Sequence, residues 1–115
     1  MHELSIAMSI VELAQEESDR RGGVPVVAVH LKVGALSGIV KDALCSSYEI
    51  ACEATPLAGS RLVIEEVPVL VFCPNCNASR PVHSTQLFCC AECGALCGEI
   101  VQGKELQLVA LEVEG

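Results

Sequence analysis

Two C-x-x-C pairs, Cys73–Cys76 and Cys90–Cys93, constrain this chain more than anything else in it. They lie in the block FCPNCNASRPVHSTQLFCCAECGALCG, with thirteen residues between the pairs. A C-x-x-C turns tightly enough to aim both sulfurs into one concavity, where backbone N–H groups can donate to them. The chain leaving such a turn needs positive φ, and Asn77 and Gly94, which follow the second cysteine of each pair, tolerate it. Pro74 fixes φ just inside the first turn. Two such pairs at this interval form the pattern of a four-cysteine zinc ribbon.

Four thiolates complete a tetrahedron and leave no position for water or substrate, so the site reads as structural. So short an insert, almost without aromatics, cannot fold on burial alone, whereas structural zinc contributes on the order of 10–16 kcal/mol to such modules. Four thiolates also suit iron, and a rubredoxin-like redox protein is the rival reading. Cys89–Cys93 and Cys93–Cys97 are C-x-x-x-C spacings that fit the turn less well. Cys89 and Cys97 are therefore read as small, partly buried residues.

The chain has eight cysteines in 115 residues. A secreted disulfide scaffold would also use many cysteines, but MHELSIAMSIVELAQEESDRR has acids where a signal peptide has bases, and no long apolar run. Nothing reaches the length of a membrane span. The expectation is a cytoplasmic, metal-binding chain. The formal charge of −8 and the seven scattered bases argue against gripping phosphate backbones. Phe72, Phe88 and Tyr48 are the whole aromatic complement, too few for a base-stacking platform.

Apolar steps of three and four predict a helix from Leu4 to about Arg21, with Leu4, Met8, Val11 and Ala14 inward and Gly22–Gly23 as its stop. VPVVAVHLKV predicts a strand over Val24–Val33, with Val27, Val29, Leu31 and Val33 on one face and His30 and Lys32 on the other. A second helix is expected from about Ile39 to Ala54, N-capped by Ser37, with Val40, Leu44, Tyr48 and Ala51 inward. Strands are expected over Ser60–Phe72, with Pro68 at an edge or end, and over KELQLVALEVE, where an apolar phase shift between Leu108 and Val109 suggests a bulge or burial on both faces. The economical packing is α+β: a small three-stranded sheet with two helices and an inserted four-cysteine ribbon.

The other reactive residues read as bland. Cys45 and Cys52, seven apart on a helix, lie about 10 Å apart along its axis and cannot pair. His30 falls on the polar side of a strand, and His83 is either a solvated loop residue or a neighbour of the zinc. No nucleophile–base pair and no framed carboxylates stand out, so an enzyme is not expected.

The start, Met1-His2-Glu3, has chemistry of its own. A free α-amine, a deprotonated His2 amide and the His2 Nδ1 would close two fused chelate rings in one plane. The Glu3 amide or an outside donor would complete it. Such nitrogen-rich tetragonal geometry favours Ni(II) or Cu(II) over zinc. The Glu3 carboxylate would serve as a weak ligand or as a hydrogen-bond acceptor beside the metal; near a helix start it is also a simple dipole residue.

Taken in order, the MHELSIA start, VHLKVGALSGI, LVIEEVPV, CPNC and CCAEC closely resemble the HypA/HybF family of hydrogenase nickel-incorporation proteins, over essentially the whole chain. The resemblance implies a nickel metallochaperone that helps load [NiFe] hydrogenase and, in some organisms, urease. It implies nickel at Met1, His2 and Glu3, with His2 indispensable, and zinc at Cys73, Cys76, Cys90 and Cys93. It implies a HypB-type nickel GTPase and the hydrogenase large-subunit precursor as partners. Some relatives carry histidines flanking the second pair, where this chain has Cys89 and Cys97.

The expected organisation is a nickel-binding domain, residues 1–69 and 99–115, with a zinc-ribbon module at 70–98. A monomer and a weak homodimer are equally compatible with it. The alternative function is a zinc-ribbon adaptor without nickel delivery.

Overall fold

A computed structural model describes residues 3–114. The elements run α1 (Glu3–Arg20), β1 (Val26–Gly34), α2 (Lys41–Cys52), β2 (Arg61–Val67), β3 (Leu70–Cys73), β4 (Ala78–Pro81), β5 (Glu99–Gln102) and β6 (Leu106–Val113). They form two three-stranded sheets, ordered β2-β1-β6 and β4-β3-β5. The fold is α+β, as expected. The chain divides into two compact units. One takes in the residues up to Lys32, Gly38–Glu65 and the chain from Gln107 on; the other is Val33–Ser37 and Glu66–Leu106.

In the first unit α1 packs on α2. The buried face of α1 is Ala7, Ile10, Val11 and Ala14. Leu4 and Met8, expected inward, are 45% and 58% exposed. The core side is turned by the two alanines, fully buried seven residues apart, where a small side chain lets neighbouring elements come close. The helix ends as expected: Gly22 and Gly23 take φ of 85° and 82°, and the Gly23 N–H donates back to the Ser18 carbonyl at 2.8 Å.

Helix α2 starts later than the sequence suggests. Val40, not Ser37, is its N-cap, and Val40 is 60% exposed. The inward face is Leu44, Tyr48 and Cys52. The Tyr48 hydroxyl reaches Ser60 Oγ at 2.7 Å, and Ser60 in turn donates to the Leu57 carbonyl at 2.6 Å. Burial raises the Tyr48 pKa. A buried phenol is tolerable because its polar tip is bonded.

Strand β1 is central and mostly buried. Its alternation slips between Ala28 and Val29, both buried, so Val27 faces outward at 36% exposure. His30 lies half-exposed, with Nε2 3.1 Å from Glu112 Oε1. Strand β6 buries nothing fully, so the phase shift at Leu108–Val109 reflects an open edge and not burial on both faces.

The expected strand Ser60–Phe72 is two strands in different sheets, broken at Pro68 and Val69. Proline lacks the N–H a continuous ladder needs. In the second unit β3 pairs antiparallel with β4, Val71 opposite Arg80 and Cys73 opposite Ala78, and with β5 through a bulge at Leu70–Val71. Its core is Val69, Val71, Cys73, Cys90 and Cys97, with Val82, Phe88 and Ile100 packed against it.

Candidate metal centre

The β3 strand ends in Cys73, and the chain turns directly to Cys76 and on into β4. Asn77, at φ 53°, makes the exit. The second turn is built likewise: the Gly94 N–H donates to the Cys90 carbonyl at 2.9 Å, and Gly94 takes φ 78°. Bridges Val82–Cys90 and Cys89–Leu96 hold this turn in place.

The two turns bring Cys73, Cys76, Cys90 and Cys93 together, with all four sulfurs within 4.8 Å of one another. Cys73 and Cys93 Sγ lie 3.5 Å apart and Cys76 and Cys90 Sγ 3.9 Å apart. A tetrahedron with metal–sulfur bonds of about 2.3 Å has edges of about 3.8 Å, so the cage is already the right size for zinc. Backbone N–H groups donate to the inner sulfurs: Cys76 to Cys73 Sγ at 3.4 Å, Glu92 to Cys90 Sγ at 3.4 Å and Cys93 to Cys90 Sγ at 3.5 Å. Such bonds stabilise thiolate over thiol.

The sulfurs are not equivalent. The Asn75 side chain donates to Cys93, and with the Ala95 N–H it brings that thiol down to about 6. At Cys76 the Arg80 guanidinium pulls downward, but bonds with Cys93 and burial outweigh it and the thiol is pushed up to about 11. Cys73 is lowered, chiefly by the Cys76 backbone. Arg80 Nε is buried with no hydrogen-bond partner among the described residues, and Cys76 raises the pKa of its guanidinium. Asn75 and Arg80 were not singled out from the sequence. Asn75 sits inside the first C-x-x-C, and Arg80 lies in β4, an arm that only the pairing brings alongside.

The remaining cysteines stay outside the cage. Cys97 is buried and its thiol donates to the Ala95 carbonyl at 3.3 Å; Cys89 is half-buried in its bridge to Leu96. Cys45 and Cys52 lie on α2 and His83 is exposed in its loop.

Of the three terminal candidates, Met1 and His2 lie outside the described residues. Glu3 opens α1, half-buried, and its Oε2 accepts the Val40 N–H at 3.3 Å. The acid that follows His2 is thereby tied to the start of α2.

Residues 1–113 match the model of a family described as hydrogenase/urease nickel incorporation, metallochaperone, HypA. A hydrogenase maturation factor HypA from Chloroflexus aurantiacus is 55% identical over 112 residues, 97% of this chain and 98% of the relative. One from Geobacter metallireducens is 42% identical over 114 residues, 99% of this chain and the whole of the relative. Among solved structures, the nickel metallochaperone HypA from Helicobacter pylori aligns with a TM-score of 0.67 at 24% identity, covering 98% of this chain and 97% of that one. A second solution structure of a HypA protein gives 0.74, also at 24% identity.

Proposed function

The chain belongs to the HypA family of nickel metallochaperones for hydrogenase maturation, and from that premise we propose that it carries Ni(II) at its own N-terminus and keeps zinc in its ribbon. Nickel is the cargo. The Met1 amine, the His2 amide and the His2 imidazole form the planar set, with Glu3 beside it. The observation that carries this reading is the family match from residue 1, which includes Met1-His2-Glu3 itself. The bond from Val40 N–H to Glu3 supports it, because it fixes the residue next to His2 against a second helix.

The sulfur cage has the opposite logic. Four soft donors at tetrahedral spacing, with N–H groups on two of them, suit an ion that stays. Zinc, when bound, ties the two turns into one core. Cys73, Cys76, Cys90 and Cys93 would hold it. The nitrogen site at the chain end is one a partner can approach with ligands of its own, as delivery requires. Nickel handling is assigned to residues 1–69 and 99–115 and zinc retention to 70–98. The recipient is the [NiFe] hydrogenase large-subunit precursor in the cytoplasm, with a HypB-type GTPase as the nickel-handling partner and urease as a second destination.

Nickel titration of untagged protein tests the terminal site. His2→Ala is expected to abolish planar binding, and one residue added before Met1 to weaken it by removing the amine from its ring. Unchanged affinity in His2→Ala overturns the reading.

A further inference from the structure

Strand β6 is an unusual edge. Residues 106–111 read LQLVAL, without a charge, and none of the eight residues of β6 is fully buried. Val109 and Val113 are 44% and 42% exposed. Among the described residues no strand pairs with its outer side. The opposite edge of the same sheet, β2, is guarded in the ordinary way by Arg61, Glu65 and Glu66. An edge whose residues 106–111 are uncharged and mostly apolar is a template for another strand.

Beside this edge runs a groove of about 480 Å³ between the second half of α1 and β6, floored by Leu108, Leu111 and Val113. Leu13, 55% exposed, overhangs it. The surroundings are acidic. Residues 12–21 and 112–114 carry six acids against two arginines, and of the six Glu112 is engaged across the sheet with His30 at 3.1 Å and Arg61 at 3.7 Å. Those two arginines are paired with Glu17. Glu12, Glu16 and Asp19, at i, i+4 and i+7, form one exposed row on α1 without ion pairs among the described residues.

We infer that the β6 edge and its groove receive an extended segment of another protein in which apolar and basic residues alternate. Backbone pairing with β6 supplies the hydrogen bonds. Alternate apolar side chains of the segment turn toward Leu13, Leu108, Leu111 and Val113, and its basic residues meet the acids on either side. A second copy of this chain fits poorly. It would bring the acidic row of Glu12, Glu16 and Asp19 against itself, and like charges across an interface repel. The inference is independent of where nickel and zinc are held.

The test uses the whole zinc-loaded chain, isotope-labelled, with a short blocked peptide of alternating Val and Lys as the probe. Expected are amide shifts confined to residues 107–113 and the groove wall of α1, and amide protection gained along β6. Glu16→Lys and Leu13→Lys, both at exposed positions, are each expected to weaken binding about tenfold, the latter by closing the groove. A Val–Glu peptide is expected not to bind. Equal binding of the Val–Glu peptide, shifts spread away from β6, or Glu16→Lys and Leu13→Lys binding like the parent each overturn the inference. Self-association that protects β6 and excludes the peptide overturns it in favour of a second copy.

Discussion

Gly34 and Gly103 meet backbone to backbone: a Cβ built on Gly34 would lie 2.1 Å from the Gly103 carbonyl oxygen. The contact is held from both sides. The Gly34 N–H donates to the Glu105 carbonyl at 2.7 Å, and the Leu36 N–H to the Gly103 carbonyl at 2.6 Å. Gly103 itself takes φ 120°, a region closed to side chains. Backbone cannot yield as a flexible side chain does, so Gly34→Ala is expected to cost about 3 kcal/mol. Chemical denaturation checks it, with Gly98→Ala, where nothing lies within 4 Å, as the tolerated control.

Removing the ribbon metal should dissolve one core and spare the other. The ribbon core is Val69, Val71, Cys73, Cys90 and Cys97, so two of its five buried residues are cage sulfurs. The helical core of Ala7, Ile10, Val11, Ala14, Leu44 and Tyr48 contains none. Chelation is expected to collapse the amide dispersion of residues 69–102 while helical circular dichroism persists. Metal analysis of the purified protein is expected to give one zinc and no iron, and a colourless solution.

Asn75 and Arg80 should govern how tightly that metal is kept. Four thiolates around a divalent ion would leave a net negative charge, which the Arg80 guanidinium beside Cys76 would offset, while the neutral Asn75 amide favours the thiolate form of Cys93. Partners of metal ligands are typically worth 10–100-fold in affinity, so Arg80→Ala and Asn75→Ala are each expected to speed zinc loss to a competing chelator by about tenfold or more. Arg80→Lys is expected to recover only part, because the planar guanidinium is lost. A chromophoric chelator reads the rate.

The sequence exposes the cage because its determinants are local. Cys-x-x-Cys, Asn77 and Gly94 are all decided within a few residues, and the structure places them as those few residues demand. What depends on partners was less legible. Apolar spacing cannot distinguish Leu4 and Met8, which face solvent, from Ala7 and Ile10, which do not. Ser60–Phe72 reads as one run, since only the choice of sheet on each side of Pro68 reveals two strands. Ser37 is a sound N-cap by type, yet α2 begins at Lys41 behind Val40, whose N–H is satisfied by Glu3 from another helix. Arg80 is unremarkable until β4 pairs with β3.

The end of α1 should respond to acid. Glu17 accepts from Arg21 Nε at 2.8 Å and also bonds Arg20, and the Arg21 bond is the chief cause of its lowered pKa. A carboxyl whose folded pKa is lowered stabilises fully at neutral pH and loses that contribution as pH falls through the lowered value. Amide exchange at Gly22 and Gly23, followed from neutral pH into the acid range, is expected to accelerate beyond the intrinsic trend. In Glu17→Gln the same amides are expected to show no such step.

Glu3 should act through position before it acts through charge. Val40 has no side chain able to cap α2, and its N–H would be left open at the helix start without the Glu3 carboxylate. In a capping box this bond comes from within the same helix; here α1 supplies it. Glu3→Ala is therefore expected to speed exchange of the Val40 amide and to loosen the first turn of α2. Glu3→Gln keeps an acceptor oxygen and is expected to restore most of the protection. Nickel titration separates the two roles. If Glu3 chiefly fixes the chain next to His2, Glu3→Gln binds nickel close to the parent, Glu3→Ala binds more weakly, and neither falls as far as His2→Ala. If the carboxylate charge is itself needed at the metal, Glu3→Gln falls with Glu3→Ala although the Val40 amide stays protected.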